Sequence, residues 1–200
     1  MFAGIILASE SPRRRTLLSQ MGVNFTVLPS GIIEEEPMDE LPGPYCARLA
    51  VQKAAAVGQQ NPEHLVLGAD TVVALGDRIM GKPKDKNESA EMLGALSGQW
   101  HEVWTGVCLF QRMQEIQMVK AIRSNVRFKD LSQDEIDNYI KTGEPMDKAG
   151  SYAIQGIGAN LVCEVNGSYH NVIGLPTTDL GSMFDKLGVQ FDLKIDENIV

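Results

Sequence analysis

Gly4-Ile5-Ile6-Leu7-Ala8-Ser9-Glu10-Ser11-Pro12-Arg13-Arg14-Arg15 reads as a strand that stops and a helix that starts. The apolar run is short and of the buried type, and it ends in the hydroxyls of Ser9 and Ser11. Ser11 suits an N-cap, where its oxygen can accept from a free N–H of the first turn. Pro12 suits the first helical position, because it has no N–H to leave unpaired. Three arginines then stand where the helix dipole favours anions. Taken alone they are either a solvated basic turn or a site that an anionic ligand, most simply a phosphate chain, makes favourable.

Outward from this unit, Leu17, Leu18 and Met21 continue at helical spacing to Gly22, and residues 24–28 predict a second strand parallel to the first. Residues 29–44 carry prolines, Gly31 and Glu34-Glu35-Glu36, and read as an acidic loop. An Ala-rich helix is expected over 45–59, with Lys53 in its middle. A buried strand at 65–68 runs into Ala69-Asp70-Thr71 and Val72-Val73-Ala74-Leu75, and Gly76-Asp77 turns the chain into Arg78-Ile79-Met80. A helix over 87–96 follows. Residues 101–110 and 118–128 alternate as a long antiparallel hairpin. Ser132 and Glu135 form a capping box for a helix reaching Thr142. The glycine-rich tract 149–158 precedes strands at 160–165 and 169–173, turned at Asn166-Gly167, and a last helix over 176–187. No element is assigned after Gly188. The pattern predicts a mixed α/β fold, early parallel elements followed by an antiparallel region, with no internal repeat.

Composition excludes several classes. The 200 residues carry a net charge of −8, which argues against a nucleic-acid or membrane-surface binder, since these show a basic footprint. An anionic ligand must then be held by a local cluster of cations. No apolar run approaches a membrane span or a secretory core. Cys46, Cys108 and Cys163 are widely spaced without a CxxC pair and fit reduced thiols, so a cytoplasmic location is expected.

Asp70 interrupts an apolar strand, where an unpartnered charge is costly; it needs backbone donors, a cationic partner or a metal. Lys82 and Lys84 lie one hairpin further on, and Lys82 can return to the same mouth. One glutamate of 34–36 could serve a magnesium ion that also binds substrate phosphates; composition does not say which. Gly156-Ile157-Gly158 beside Gln155 fits close backbone approach to a ligand, though turns and bulges produce the same pattern. His64, His101 and His170 show no metal-ligand spacing, and there is no Walker A sequence. These residues point to phosphate chemistry assisted by a divalent cation.

The ordered set Ser9-x-Ser11-Pro12-Arg13-Arg14, Glu34, Lys53, Gly68-Ala69-Asp70-Thr71-Val72, Lys82-Pro83, Leu96-Ser97-Gly98, Asp147-Lys148-Ala149-Gly150-Ser151-Tyr152, Gln155-Gly156, Gly167-Ser168-Tyr169 and Gly174-Leu175-Pro176 closely resembles the Maf-like nucleotide pyrophosphatases, nearly to the end of the chain. The resemblance implies one domain over 1–200, a mixed twisted sheet with flanking helices in an elongated, two-lobed Maf/ITPase-like architecture with a central cleft, and a homodimer. It implies hydrolysis of a nucleoside triphosphate to the monophosphate and pyrophosphate with a divalent cation, Mg²⁺ or Mn²⁺. Asp70 would be the general base and, with Glu34, hold the metal. Lys53, Lys82 and Arg14 would neutralise phosphates, and Ser9, Arg13, Thr71 and Gln155 complete the substrate-binding set.

Arg13, Thr71 and Gln155 resemble the branches acting on dTTP and UTP. The 7-methyl-GTP branch would more typically show Trp, Gln and Glu there, suited to stacking on a cationic purine and offsetting its charge. Gln155 can both donate to and accept from a uracil or thymine edge. Glu135-Ile136-Asp137-Asn138-Tyr139 and Thr105-Gly106 resemble the 7-methyl-GTP branch but lie away from those three positions. The alternatives are a 7-methyl-GTP pyrophosphatase of the same family or, since the name of the family it resembles is tied to septum formation, a non-catalytic nucleotide-binding regulator of septum formation.

Overall fold

The apolar run opening the chain forms β1 (Ile5–Leu7), fully buried between two parallel neighbours, β2 (Thr26–Val27) and the first half of β3 (Leu65–Leu75). The computed structural model describes residues 2–191 and places these strands in one seven-stranded mixed sheet. β5 (Trp100–Gln111) pairs antiparallel with β3 and with β6 (Ile116–Phe128), and β7 (Val162–Asn166) closes the far edge. β4 (Arg78–Met80) folds back on the end of β3. The sheet order is β2-β1-β3-β5-β6-β7, with β4 off this path. The expected switch from parallel to antiparallel pairing thus occurs at β3.

That strand is a single 11-residue element, and its outer edge is filled only at its two ends. β1 covers residues 65–67 and β4 covers residues 73–75, which leaves 68–72 as a notch holding Asp70 and Thr71. Strand alternation sends Asp70 and Thr71 to opposite faces. Because β4 runs antiparallel to β3, its end at Met80 lies opposite Val73, and the chain continues through Gly81 to Lys82 toward the notch.

One face of the sheet carries α2 (Pro42–Gly58), the longest helix among the described residues. It sits directly on glycine: a Cβ at Gly68 would meet Ala50 O at 2.2 Å, and one at Gly106 would meet Cys46 O at 2.2 Å. The opposite face carries two apolar clusters. Leu67, Ala69, Val107 and Leu109 pack on α1 (Pro12–Gln20) and α6 (Thr177–Lys186). Val73, Val103 and Phe128 pack on α3 (Lys86–Leu96) and α4 (Gln133–Lys141). Between them the cross-strand pair is Thr71 and Thr105, a polar seam in an apolar face.

Two expectations are corrected. The loop read as 29–44 ends at residue 41, and α2 starts at Pro42 rather than Tyr45. Prolines are tolerated there because first-turn N–H groups have no intrahelical partner anyway. The stretch Tyr169–Ile173, read as a returning strand, is the short helix α5. Ser168 caps it by accepting from Asn171 N, and Asn171 is driven into the polar seam, where its side chain donates to Val103 O at 3.1 Å and Ser124 Oγ at 3.0 Å. These tertiary bonds override the strand propensity of Val172 and Ile173. The other elements agree within a residue or two of their ends. The capping box at Ser132 and the Ser11 cap with Pro12 following are both present. Most of the unassigned tail lies outside the described residues.

Candidate active site

The notch opens into a cleft of about 920 Å³. Ser9, Arg13, Arg14, Glu34, Lys53, Asp70, Thr71, Lys82 and Gln155 all border it. Four connections supply Ser9, Glu34, Lys82 and Gln155, while α1 supplies Arg13 and Arg14, α2 supplies Lys53 and β3 supplies Asp70 and Thr71.

On the α2 side of the notch, Asp70 and Lys53 are 6% and 8% exposed, low for charged residues, which are rarely so buried unless paired. They pair with each other, Lys53 Nζ donating to Asp70 Oδ1 at 2.6 Å. The same ammonium meets Glu34 Oε1 at 2.7 Å. Of the three loop glutamates, Glu34 is therefore the one facing the lysine, while Glu35 faces Arg48. Burial raises the Glu34 pKa, but the hydrogen bond and charge of Lys53, with Lys82 and Arg14 beyond, outweigh it and hold the carboxyl below its usual range. The loop is pinned by Tyr45, whose hydroxyl donates to Glu35 O at 3.2 Å, and by the Arg48 guanidinium on Glu40 at 2.9 Å.

On the opposite side Arg14 turns inward. It donates to Gly174 O at 2.9 Å, Ser9 Oγ at 3.1 Å and Thr71 Oγ1 at 3.0 Å. Thr105 gives its proton to Asn171 O at 2.9 Å, so Thr71 is the donor in the 2.9 Å Thr71–Thr105 contact. The relay is directional: Arg14 to Thr71 to Thr105 to the α5 backbone. Arg14 thereby clasps β1, β3 and α5 together. Burial draws the Arg14 pKa down, Asp70 opposes this and Arg13 adds to it. Lys82, by contrast, has no carboxylate within ion-pair distance among the described residues and is available to a ligand.

Other residues in or behind the cleft are given no individual role by the sequence. Lys148 borders the cleft next to Asp147, its ion-pair partner, and Arg78 lines it from β4. Tyr139 and Glu144 lie behind the Gln155 segment, joined to it by tertiary hydrogen bonds. His101 is buried against Tyr152, with Nε2 2.8 Å from the hydroxyl, and takes no place in the cleft.

Glu34 and Asp70 approach one ammonium from two elements, so a cation-binding position already exists between them. Among the described residues no group of three or more His, Cys, Asp or Glu converges, so the protein offers no complete cage. Two carboxylates are what a Mg²⁺-like ion needs when it completes its shell with waters and substrate phosphates. The donor set fits such an ion.

Among solved structures, a HAM1 protein from Coxiella burnetii shares this fold with a TM-score of 0.52 at 14% identity, the match covering 95% of this chain and 100% of that one. Relatives in sequence are nearer. The dTTP/UTP pyrophosphatase of Syntrophus aciditrophicus is 44% identical over 184 residues, 92% of this chain and 90% of that protein. Those of Clostridioides difficile and Aquifex aeolicus are 44% and 42% identical over 91% and 92% of this chain, covering 94% and 96% of those proteins. The notch, the cations around it and these likenesses run through the same stretch, residues 4–187, that matches the Maf-like protein family, and the chain belongs to that family.

Proposed function

We propose that this protein is a nucleoside triphosphate pyrophosphatase that hydrolyses dTTP and UTP to the monophosphate and pyrophosphate. The observation carrying the chemistry is the convergence of Asp70, Lys53 and Glu34 in the notch of β3. The relatives named dTTP/UTP pyrophosphatase, at 42–44% identity over nine-tenths of the chain, support the substrate.

Hydrolysis of the α–β anhydride first needs neutralised charge and then an oriented water. Lys82 and Arg13 border the cleft, without carboxylate partners among the described residues, and meet the phosphates; Lys53 adds its charge from below. Asp70 accepts the water's proton as the new P–O bond forms and the bridging P–O bond breaks, and pyrophosphate leaves with the bridging oxygen. Lys53 holds that carboxylate in one orientation. Glu34 and Asp70 would hold a Mg²⁺ or Mn²⁺ ion, which when bound withdraws charge from the phosphate oxygens. Arg14 commits three of its five N–H groups to Gly174 O, Ser9 Oγ and Thr71 Oγ1, which fixes the turn carrying Ser9, and keeps one N–H on each terminal nitrogen for a phosphate. Gln155, exposed at the rim, contacts the pyrimidine edge.

The homodimer implied by the resemblance and a cytoplasmic location belong to the same reading; light scattering tests the first. No helix among the described residues is long and apolar enough to cross a membrane. A pyrophosphate-release assay with Mg²⁺ or Mn²⁺ across dTTP, UTP, CTP, dATP, GTP and 7-methyl-GTP tests the function. Turnover of dTTP and UTP above the rest, lost in Asp70→Asn, is expected. Preference for 7-methyl-GTP overturns the substrate, and no turnover overturns the enzyme.

A further inference from the structure

Gln155, proposed above to contact the base, stands on a segment with no strand or α-helix to hold it. From Tyr152 to Leu161 the chain consists of irregular backbone with a bend at 154–155 and the 3-10 helix Gly156–Leu161. Gln155 is exposed at the rim, so where its amide reaches depends on the backbone at 153–158. That backbone is fixed from behind, on both sides of Gln155, by two side chains. Two residues before it, Ala153 N donates to the Tyr139 hydroxyl at 3.1 Å. Two and three residues after it, Ile157 N and Gly158 N donate to Glu144 Oε2 and Oε1 at 3.1 and 2.9 Å. The Tyr139 hydroxyl donates in turn to Glu144 Oε1 at 2.9 Å, joining the two anchors. Tyr169 adds a looser bond to Ile154 O at 3.3 Å.

We propose that Glu144 and Tyr139 are positioning residues for base selection, forming a clasp that sets the reach of Gln155 into the cleft; this rests on the reading that Gln155 contacts the base. The clasp has a rigid footing. Tyr139 lies on the buried face of α4 with Ile136 and Ile140, packed into the same core as Phe128 and Tyr152. The helix is closed by its capping box at one end and by Gly143, at φ +77°, at the other, which delivers Glu144 directly after it. Glu144 is an acceptor on both oxygens. Burial raises its pKa, but the N–H groups of Gly158 and Ile157, the Tyr139 hydroxyl and the Lys148 charge outweigh this and hold it low. The segment lies against the clasp with no room between: a Cβ at Gly156 would sit 2.7 Å from Glu144 Oε2, and one at Gly158 would sit 2.5 Å from the Tyr139 oxygen. Gly156 also has φ +78°, a conformation glycine adopts without strain. Of the two glycines flanking Ile157, Gly156 thus allows close contact with the Glu144 carboxylate and Gly158 with the Tyr139 hydroxyl and Ala153 O.

The test compares kcat/KM for dTTP with that for CTP, whose base differs in its hydrogen-bonding edge. Glu144→Gln keeps the shape but turns one acceptor into a donor facing a backbone N–H. Tyr139→Phe keeps the ring in the core and removes the hydroxyl that joins the anchors. In either variant the dTTP/CTP ratio should fall about tenfold or more through a raised KM for dTTP, since small misplacement of a contacting group is costly. In a Gln155→Ala background, Glu144→Gln should change the ratio no further. If Gln155→Ala lowers the ratio but neither clasp variant does, the clasp is overturned and the base-contact reading stands. If Gln155→Ala leaves the ratio unchanged, the base-contact reading falls, and the proposal with it. A further drop from Glu144→Gln in the Gln155→Ala background also overturns the proposal, because the carboxylate then acts on selectivity by another route.

Discussion

At one end of the cleft Lys53 and Asp70 meet because α2 lies on the glycines of β3 and β5, with helix backbone against sheet backbone; at the other end Gln155 is held by three backbone N–H groups bonded to two side chains. On the proposed function the Asp70 end carries the chemistry; it shares its supports with the hydrophobic core, and damage there should reach stability and turnover together. The Gln155 end, proposed to select the base, hangs from hydrogen bonds at the rim, so damage there should change which base is accepted before it changes whether the protein folds. Close packing holds buried charges that tolerate no slack, whereas a short loop can be retuned at lower cost.

The comparison is broken most severely by Asp70→Asn, which should lower kcat on dTTP about 10²–10⁴-fold with the fold retained, checked by pyrophosphate release and circular dichroism. Lys53→Met should separate the two ends by stability. It leaves the buried Asp70 charge without its partner, and urea unfolding should show a loss of about 3–5 kcal/mol. Gly68→Ala drives a methyl against Ala50 O and lifts α2; a loss of about 1–3 kcal/mol, with turnover falling alongside, is expected from the same titration. A stable Gly68→Ala enzyme with full activity would erase the distinction between the two ends.

A pH experiment sharpens the other side. His101, beneath the start of the Gln155 segment and bonded to Tyr152, is buried and neutral; burial lowers its pKa to about 4, only partly opposed by the Gln99 backbone. Between its ordinary value of about 6.5 and about 4 the unfolded chain binds a proton that the folded chain does not. Its contribution is thus complete above pH 6.5 and is lost as the pH falls. Unfolding free energy should drop by roughly 2 kcal/mol from pH 7 to pH 5, and His101→Gln should flatten that slope. The smallest effect serves as a control away from both ends: Gly94, exposed in α3 with open space around its Cβ position, should gain about 0.5–1 kcal/mol as alanine, with no change in activity.

Much of this was legible from local pattern. The Ser11 cap, the capping box at Ser132, the Gly76-Asp77 turn and the long hairpin are each encoded within a few residues, and all are present. Asp70 stood out because a carboxylate contradicts an otherwise apolar strand. Where local pattern failed, a distant contact had decided the matter. Tyr169–Ile173 is helical because Asn171 bonds to Val103 and Ser124, residues 68 and 47 positions away. The prolines that suggested a loop open α2 instead, and Gly43 between them lets Trp104 pack where a Cβ would lie 2.8 Å from its ring. Composition could not choose among three adjacent glutamates; the reach of Lys53 does.

By itself the sequence determined the residue types in the cleft, the order of most elements and the change from parallel to antiparallel strands, because periodicity, caps and turns are short-range properties of the chain. Only the tertiary structure decided that β3 would be left open between β1 and β4, that Arg14 would join a relay through Thr71 and Thr105 to α5, and that Glu144 would stand behind Gln155. Those outcomes depend on which strand edges stay uncovered and which donors find acceptors far along the chain, and neither is written in any local window.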